Sequence, residues 1–143
     1  MKMQVRLQRK NDEYLFHGTG KTGVAIPIDN TSEANATGAS PMELLLMGIG
    51  ACSAIDVVAI LKKQRQRIED YSMEVNGTRH EVEGAKPFKA VEVIIKLEGA
   101  IDPAKALRAA DLSFTKYCSV SLTFEPQVPV TYSVMVNGQL IQE

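Results

Sequence analysis

Ser40-Pro41-Met42-Glu43 opens the stretch that most limits what this chain can fold into. Serine at the N-cap, proline at the first helical position and glutamate at N3 make a capping box. The helix it starts is predicted to run to about Arg67, roughly 40 Å at ~1.5 Å per residue. Its first two-thirds is apolar nearly all round: Leu44, Leu45, Leu46, Met47, Ile49, Ala51, Ala54, Ile55, Val57, Val58, Ile60 and Leu61. Such a helix must be covered on every side. Its last turns carry Lys62, Lys63, Arg65 and Arg67, which suit the negative end of the macrodipole. Gly48 and Gly50 lie mid-helix, where each costs ~1 kcal/mol relative to alanine, and tight approach of another backbone would account for them. A chain of 143 residues has difficulty covering this rod alone. A homodimer with buried helices at its centre is therefore predicted.

The rest of the chain reads as one α+β domain over residues 1–143, in the order β-β-β-α-β-β-α-α-β. Met3, Val5 and Leu7 alternate with Lys2, Gln4, Arg6 and Gln8, the pattern of a half-buried strand. Residues 13–19 and 23–28 can follow as two more strands, and the small, polar residues 29–39 form a loop. Strands are predicted over 71–79 and 90–98, where Val91, Val93, Ile95 and Leu97 alternate with Glu92 and Lys96. Asp102-Pro103 is a second cap-plus-N1 signal, opening a helix toward Phe114. A break or new helical turn is placed at Lys116–Ser119, and a strand at 127–136. Asn137-Gly138 is a type I′ hairpin signal that folds back a short last strand.

Composition narrows the function classes. Sixteen Lys+Arg against 17 Asp+Glu give a net charge of −1, without the basic excess of a duplex-binding domain. With 45% apolar residues the chain is not of the disordered class. Two cysteines are too few for a disulfide scaffold. The N-terminus alternates and has no apolar signal core, and the longest uncharged apolar run, Leu44–Ile55, falls short of the ~20 residues of a bilayer span. These features lead us to expect a cytoplasmic protein bound to neither membrane nor nucleic acid.

Cys52 lies too deep in the long helix for the helix N-terminus to lower its pKa. It reads either as a small buried core residue or as a thiol activated by a cation from elsewhere in the fold. Cys118, 66 residues later, follows Lys116 and a possible helix start that would favour a thiolate. Their separation neither supports nor excludes a disulfide. Asp56, four residues after Cys52, shares its helical face and reads as a buried acid satisfied by a hydroxyl or a partner-chain base. Glu43 has a full structural account in the capping box. His17 and His80 complete a Cys₂His₂ inventory without metal-ligand spacing, so no metal or cofactor is expected. Gly18–Gly23 lacks phosphate-loop spacing and reads as a flexible loop.

Ser40-Pro41-Met42-Glu43-Leu44-Leu45-Leu46, Gly50-Ala51-Cys52-Ser53-Ala54-Ile55-Asp56-Val57-Val58 and Lys116-Tyr117-Cys118-Ser119-Val120 together resemble the OsmC/Ohr family of osmotically inducible and organic-hydroperoxide-resistance proteins. The likeness covers nearly the whole chain and points to a less characterised OsmC-like branch. It implies an intertwined homodimer whose long helices are wrapped by antiparallel sheets. It also implies thiol-dependent reduction of organic hydroperoxides, with Cys52 as peroxidatic thiol, Cys118 as resolving thiol and a lipoyl-type dithiol as reductant. Leu46, Met47 and Phe114 would supply apolar walls for an alkyl peroxide. The family's peroxidases carry a glutamate ten positions before the first cysteine; here Met42 stands there, and Glu43 is one residue, ~100° of helix, away. They also carry an arginine in a glycine-flanked N-terminal turn; here Arg6 and Arg9 are near, but Lys10-Asn11-Asp12 fills that region. The competing expectation is a dimer that binds a small apolar ligand or senses redox state without turnover. A hydrolase or metal enzyme is a distant third.

Overall fold

The computed structural model describes residues 1–142. It places strands β1 (Arg6–Arg9), β2 (Phe16–Thr19) and β3 (Ala25–Ile28) before helix α1 (Pro41–Lys63). Strands β4 (Arg67–Arg79) and β5 (Phe88–Ala100) follow, then helix α2 (Pro103–Leu112), a π-helical turn (Ser113–Tyr117), helix α3 (Ser119–Phe124), and strands β6 (Val130–Val136) and β7 (Gln139–Ile141). The chain divides into two compact units, one ending at Leu45 and one beginning at Leu46.

In the first unit β1, β2 and β3 form an antiparallel meander. Gly18 and Thr19 belong to β2, so only the end of the glycine-rich segment is a turn. Arg9 closes the β1–β2 turn, its guanidinium donating to the carbonyls of Glu13 (2.9 Å) and Asp12. Buried Asp29 pins the following loop, accepting from the N–H groups of Asn30 (2.7 Å) and Thr37 (3.0 Å). The capping box forms as read. Glu43 N–H donates to Ser40 Oγ at 3.1 Å, and Ser40 N–H donates to Glu43 Oε1 at 2.8 Å.

The second unit is built on a four-stranded sheet in the order β4-β5-β6-β7. Alternation along β5 buries Val91, Val93, Ile95 and Leu97. The sheet is mixed rather than antiparallel, because β5 and β6 run parallel, with Val91 opposite Val130 and Leu97 opposite Val136. A parallel pair needs a long crossover, and α2, the π turn and α3 supply it. Asp102 caps α2 by accepting from Ala104 N–H at 2.9 Å. Asn137 and Gly138, both at positive φ, turn β6 into β7.

α1 stops at Lys63, short of the predicted Arg67. Arg65 adopts φ 58°, and the chain closes with Arg65 N–H on Lys62 O (3.0 Å) and Gln66 N–H on Leu61 O (2.9 Å). That is a Schellman ending with arginine in the left-handed position glycine usually takes. Basic residues suit a helix end and say nothing of where the end falls. Within the second unit α1 buries Ile49, Ser53, Val57 and Leu61, a stripe at four-residue spacing. Met47, Ala51, Ile55 and Ala59, two residues and thus about 200° away, are exposed. Gly50 does admit a close neighbour, but that neighbour is the chain's own β4. A Cβ there would lie 2.8 Å from Met73 Sδ and 2.9 Å from Val75 Cγ2. At Gly48 a Cβ would make only ordinary contact with Val120, at 3.8 Å. The small residue at Gly50 therefore answers to side chains of β4 rather than to a second backbone.

Candidate active site

Cys52 projects from α1 half-buried, and Cys118, between the π turn and α3, has no exposure. Sixty-six residues apart in sequence, the two thiols are neighbours in space. Cys52 is close enough to Cys118 to act on its ionisation. Both are free thiols.

The π turn sets the position of Cys118. Ser113 begins it, and the Ser113 carbonyl accepts from Cys118 N–H at 2.7 Å. The Ser113 hydroxyl donates to Asp56 Oδ2 at 2.8 Å. Asp56 is one helical turn beyond Cys52, so a single buried serine ties the helix of one cysteine to the backbone of the other. Asp56 is thus an acid satisfied by a hydroxyl, half-buried rather than buried. A one-turn π-helix is a local departure from the α-helical ladder of the kind often found at functional sites.

Burial, the largest influence, pushes the Cys118 thiol up. Ser121 opposes it with two donors onto the sulfur, its hydroxyl at 3.1 Å and its N–H at 3.4 Å. The neighbouring Cys52 thiol pushes it up again. No lysine, arginine or histidine among the described residues acts on this sulfur. Ser121 was missed in sequence, although Cys118-x-x-Ser121 has the N-cap-to-N3 spacing of a capping pair and could have signalled it.

Tyr71 on β4 brings a second polar group close to Asp56. Its hydroxyl is buried and has no hydrogen-bond partner among the described residues. Burial first, then the Asp56 charge, hold its pKa well above the usual phenol range. Tyr71 lines an open groove of about 500 Å3 with Ala54, Ile55, Val58, Ala59 and Lys62. The expected apolar walls do not line it. Phe114 stacks on Tyr132 with ring centroids 4.4 Å apart, Leu46 packs toward Gly77, and Met47 is exposed.

Glu43 is engaged at the start of α1. The Ser40 N–H, then the Ser40 hydroxyl, hold its carboxyl below the usual range. Arg9 spends its guanidinium on loop carbonyls, and Arg6 is exposed on β1. Among the described residues no group of three or more His, Cys, Asp or Glu side chains is arranged to hold a metal.

A mixed α+β fold with a long helix and a buried thiol beside a half-buried one defines a class of thiol-bearing proteins. The OsmC-like protein family profile matches residues 33–133, and the chain belongs to that family. It is 40% identical over 122 residues to protein YhfA of Escherichia coli K12, covering 85% of this chain and 89% of that one. A crystal structure of a hypothetical protein from Aquifex aeolicus VF5 superposes with a TM-score of 0.79 at 29% identity, covering 96% of this chain and 98% of that one. The organic hydroperoxide resistance protein OhrB of Bacillus subtilis shares the fold at TM-score 0.67 and 21% identity, covering 94% and 98%.

Proposed function

We propose that the protein is a cysteine-pair peroxidase that reduces organic hydroperoxides in oxidative-stress defence, acting in the cytoplasm as a homodimer. The observation that carries this reading is the buried Cys118 thiol beside half-buried Cys52. Family membership agrees with it, since organic hydroperoxide resistance proteins share the fold.

In this reaction the Cys52 thiolate attacks the O–O bond of the peroxide. The bond breaks, an alcohol leaves after taking a proton, and Cys52 becomes a sulfenic acid. Cys118 condenses with it to a disulfide and water. A small dithiol then restores both thiols by exchange. Half-burial leaves Cys52 open to substrate, while full burial protects Cys118 from over-oxidation. Glu43 stands aside from this scheme as a helix cap, bound to Ser40.

The exposed stripe on α1 supports the dimer. Met47 and Ile55 are 54% and 70% exposed. α1 has the length and composition of a membrane-crossing helix, and only 28% of its most apolar stretch is buried. A second copy of the same helix would cover this stripe, and in our reading neither membrane nor nucleic acid is a partner.

A second reading, a dimer that binds a small apolar ligand or senses redox state, is favoured by one observation: among the described residues no lysine, arginine or histidine acts on Cys118, and Arg9 is committed to its own turn. Consumption of cumene hydroperoxide with a dithiol separates the two. The peroxidase reading expects loss of turnover in Cys52→Ser and a trapped sulfenic acid or mixed disulfide in Cys118→Ser. Equal, negligible rates in parent and both variants would favour the binding module.

A further inference from the structure

A buried sulfur resists ionisation, yet a thiol must attack as its thiolate. Cys118 has no exposure. Cys52 is the titratable side chain that acts on it from α1, and among the described residues no carboxylate, lysine, arginine or histidine does so from any other element. Ser121, itself 1% exposed, is placed to stabilise negative charge there. Its hydroxyl lies 3.1 Å and its N–H 3.4 Å from the sulfur, both as donors. Donors held in a dry site strengthen as their acceptor gains charge. No other buried serine in this unit does this: the Ser53 hydroxyl serves the Gly50 carbonyl, and that of Ser113 serves Asp56.

We propose that Ser121 is a catalytic residue of the resolving step, its hydroxyl holding the Cys118 sulfur as a thiolate while that sulfur attacks Cys52. The inference rests on the peroxidase reading of the cysteine pair. Cys118 gives up its proton, and its sulfur lone pair forms the S–S bond to the Cys52 sulfenic sulfur. The S–O bond breaks, and the departing hydroxide takes a proton to become water. The Cys118 sulfur is oxidised, the sulfenic sulfur is reduced, and the Ser121 hydroxyl keeps its own proton throughout. The same two donors serve the return reaction. When a dithiol attacks Cys52 of the disulfide, Cys118 departs as a thiolate, and a stabilised thiolate leaves faster.

The test is the pH dependence of disulfide formation after one equivalent of cumene hydroperoxide, in the parent, Ser121→Ala and Ser121→Thr. Losing a hydrogen bond to a charged group lowers the thiolate population about tenfold at neutral pH. The more basic sulfur is a better nucleophile and recovers about threefold at a Brønsted slope of ~0.4–0.5. Ser121→Ala should therefore form the disulfide about threefold more slowly at neutral pH and about threefold faster at strongly alkaline pH, where both sulfurs are ionised. The two profiles cross. Ser121→Thr keeps the hydroxyl and should follow the parent. Slowing by one factor at every pH, or a Ser121→Thr profile that matches Ser121→Ala, would overturn the proposal. If the parent itself forms no disulfide, the peroxidase reading fails. Ultraviolet titration of the thiolate in Cys52→Ser, with and without Ser121→Ala, then reads the hydroxyl alone: a midpoint displaced to higher pH upholds its action on the sulfur, and an unmoved midpoint ends it.

Discussion

Replacing Ile55 with glutamine separates a helix that faces a second copy from one that faces water. Ile55 is 70% exposed in the single chain, in the apolar stripe opposite the packed face of α1. In an isolated subunit the change should alter stability by no more than ~0.5 kcal/mol, because little is buried and glutamine is a good helix former. In a twofold dimer the same residue is lost from both sides of the interface. Burying an isoleucine side chain is worth ~1.5–3 kcal/mol, so two copies contribute ~3–6 kcal/mol. At 1.4 kcal/mol per decade, the dissociation constant should rise about 10²- to 10⁴-fold. Sedimentation equilibrium over a dilution series measures this directly. The parent should sediment at twice its 15.6 kDa chain mass, and Ile55→Gln should shift toward 15.6 kDa on dilution. The reasoning is refuted if the parent is monomeric at every concentration, or if the variant dimerises as tightly as the parent.

Other expectations follow from the same geometry. Gly50→Ala puts a methyl within 3 Å of Met73 and Val75 and should cost ~1–3 kcal/mol, seen as a lower thermal midpoint despite better helix propensity. Arg65→Gly relieves the left-handed residue that ends α1 and should raise stability by ~0.5–1 kcal/mol, the left-handed penalty less the added chain entropy. Asp56→Asn removes the charge that helps hold up the Tyr71 phenol. Spectroscopic titration should show Tyr71 ionising at lower pH, still above an ordinary tyrosine because burial is the larger cause. Glu43 has a lowered pKa in the folded protein. Its capping contribution is therefore present above the pKa of the unfolded chain and lost as pH falls through the folded value. Acid titration of stability should be shallower in Glu43→Gln, and an unchanged slope would exclude the cap as its source.

The local features of the fold were legible in the sequence wherever chemistry is local. Both helix caps, the alternation along β5 and the Asn137-Gly138 turn are each written in a few adjacent residues. The end of α1 was not, because four basic residues suit a helix C-terminus equally well at Lys63 or Arg67, and only the φ of Arg65 decides. The parallel pairing of β5 with β6 was hidden for a different reason. Each strand shows its own alternation, but the direction of its neighbour depends on where the α2–α3 crossover returns the chain. The site divides the same way. Local context singled out Cys52 and Cys118 separately and only the family resemblance paired them, because their adjacency depends on the π turn and on Ser113 reaching Asp56, a contact between residues 57 apart. The Gly50 reading failed at the same level. The need for a small residue was visible, but the Met73 and Val75 side chains that impose it lie on a strand with no local link to the helix.

The central claim is that Cys52 and Cys118 react with each other after a peroxide strikes the first. Mass analysis of the parent after one equivalent of organic hydroperoxide, with free thiols capped before digestion, tests it most directly. The account predicts one peptide pair joined through Cys52 and Cys118, and a sulfenic acid on Cys52 when Cys118 is replaced by serine. Recovery of both cysteines as capped thiols, with the peroxide unconsumed, would contradict it.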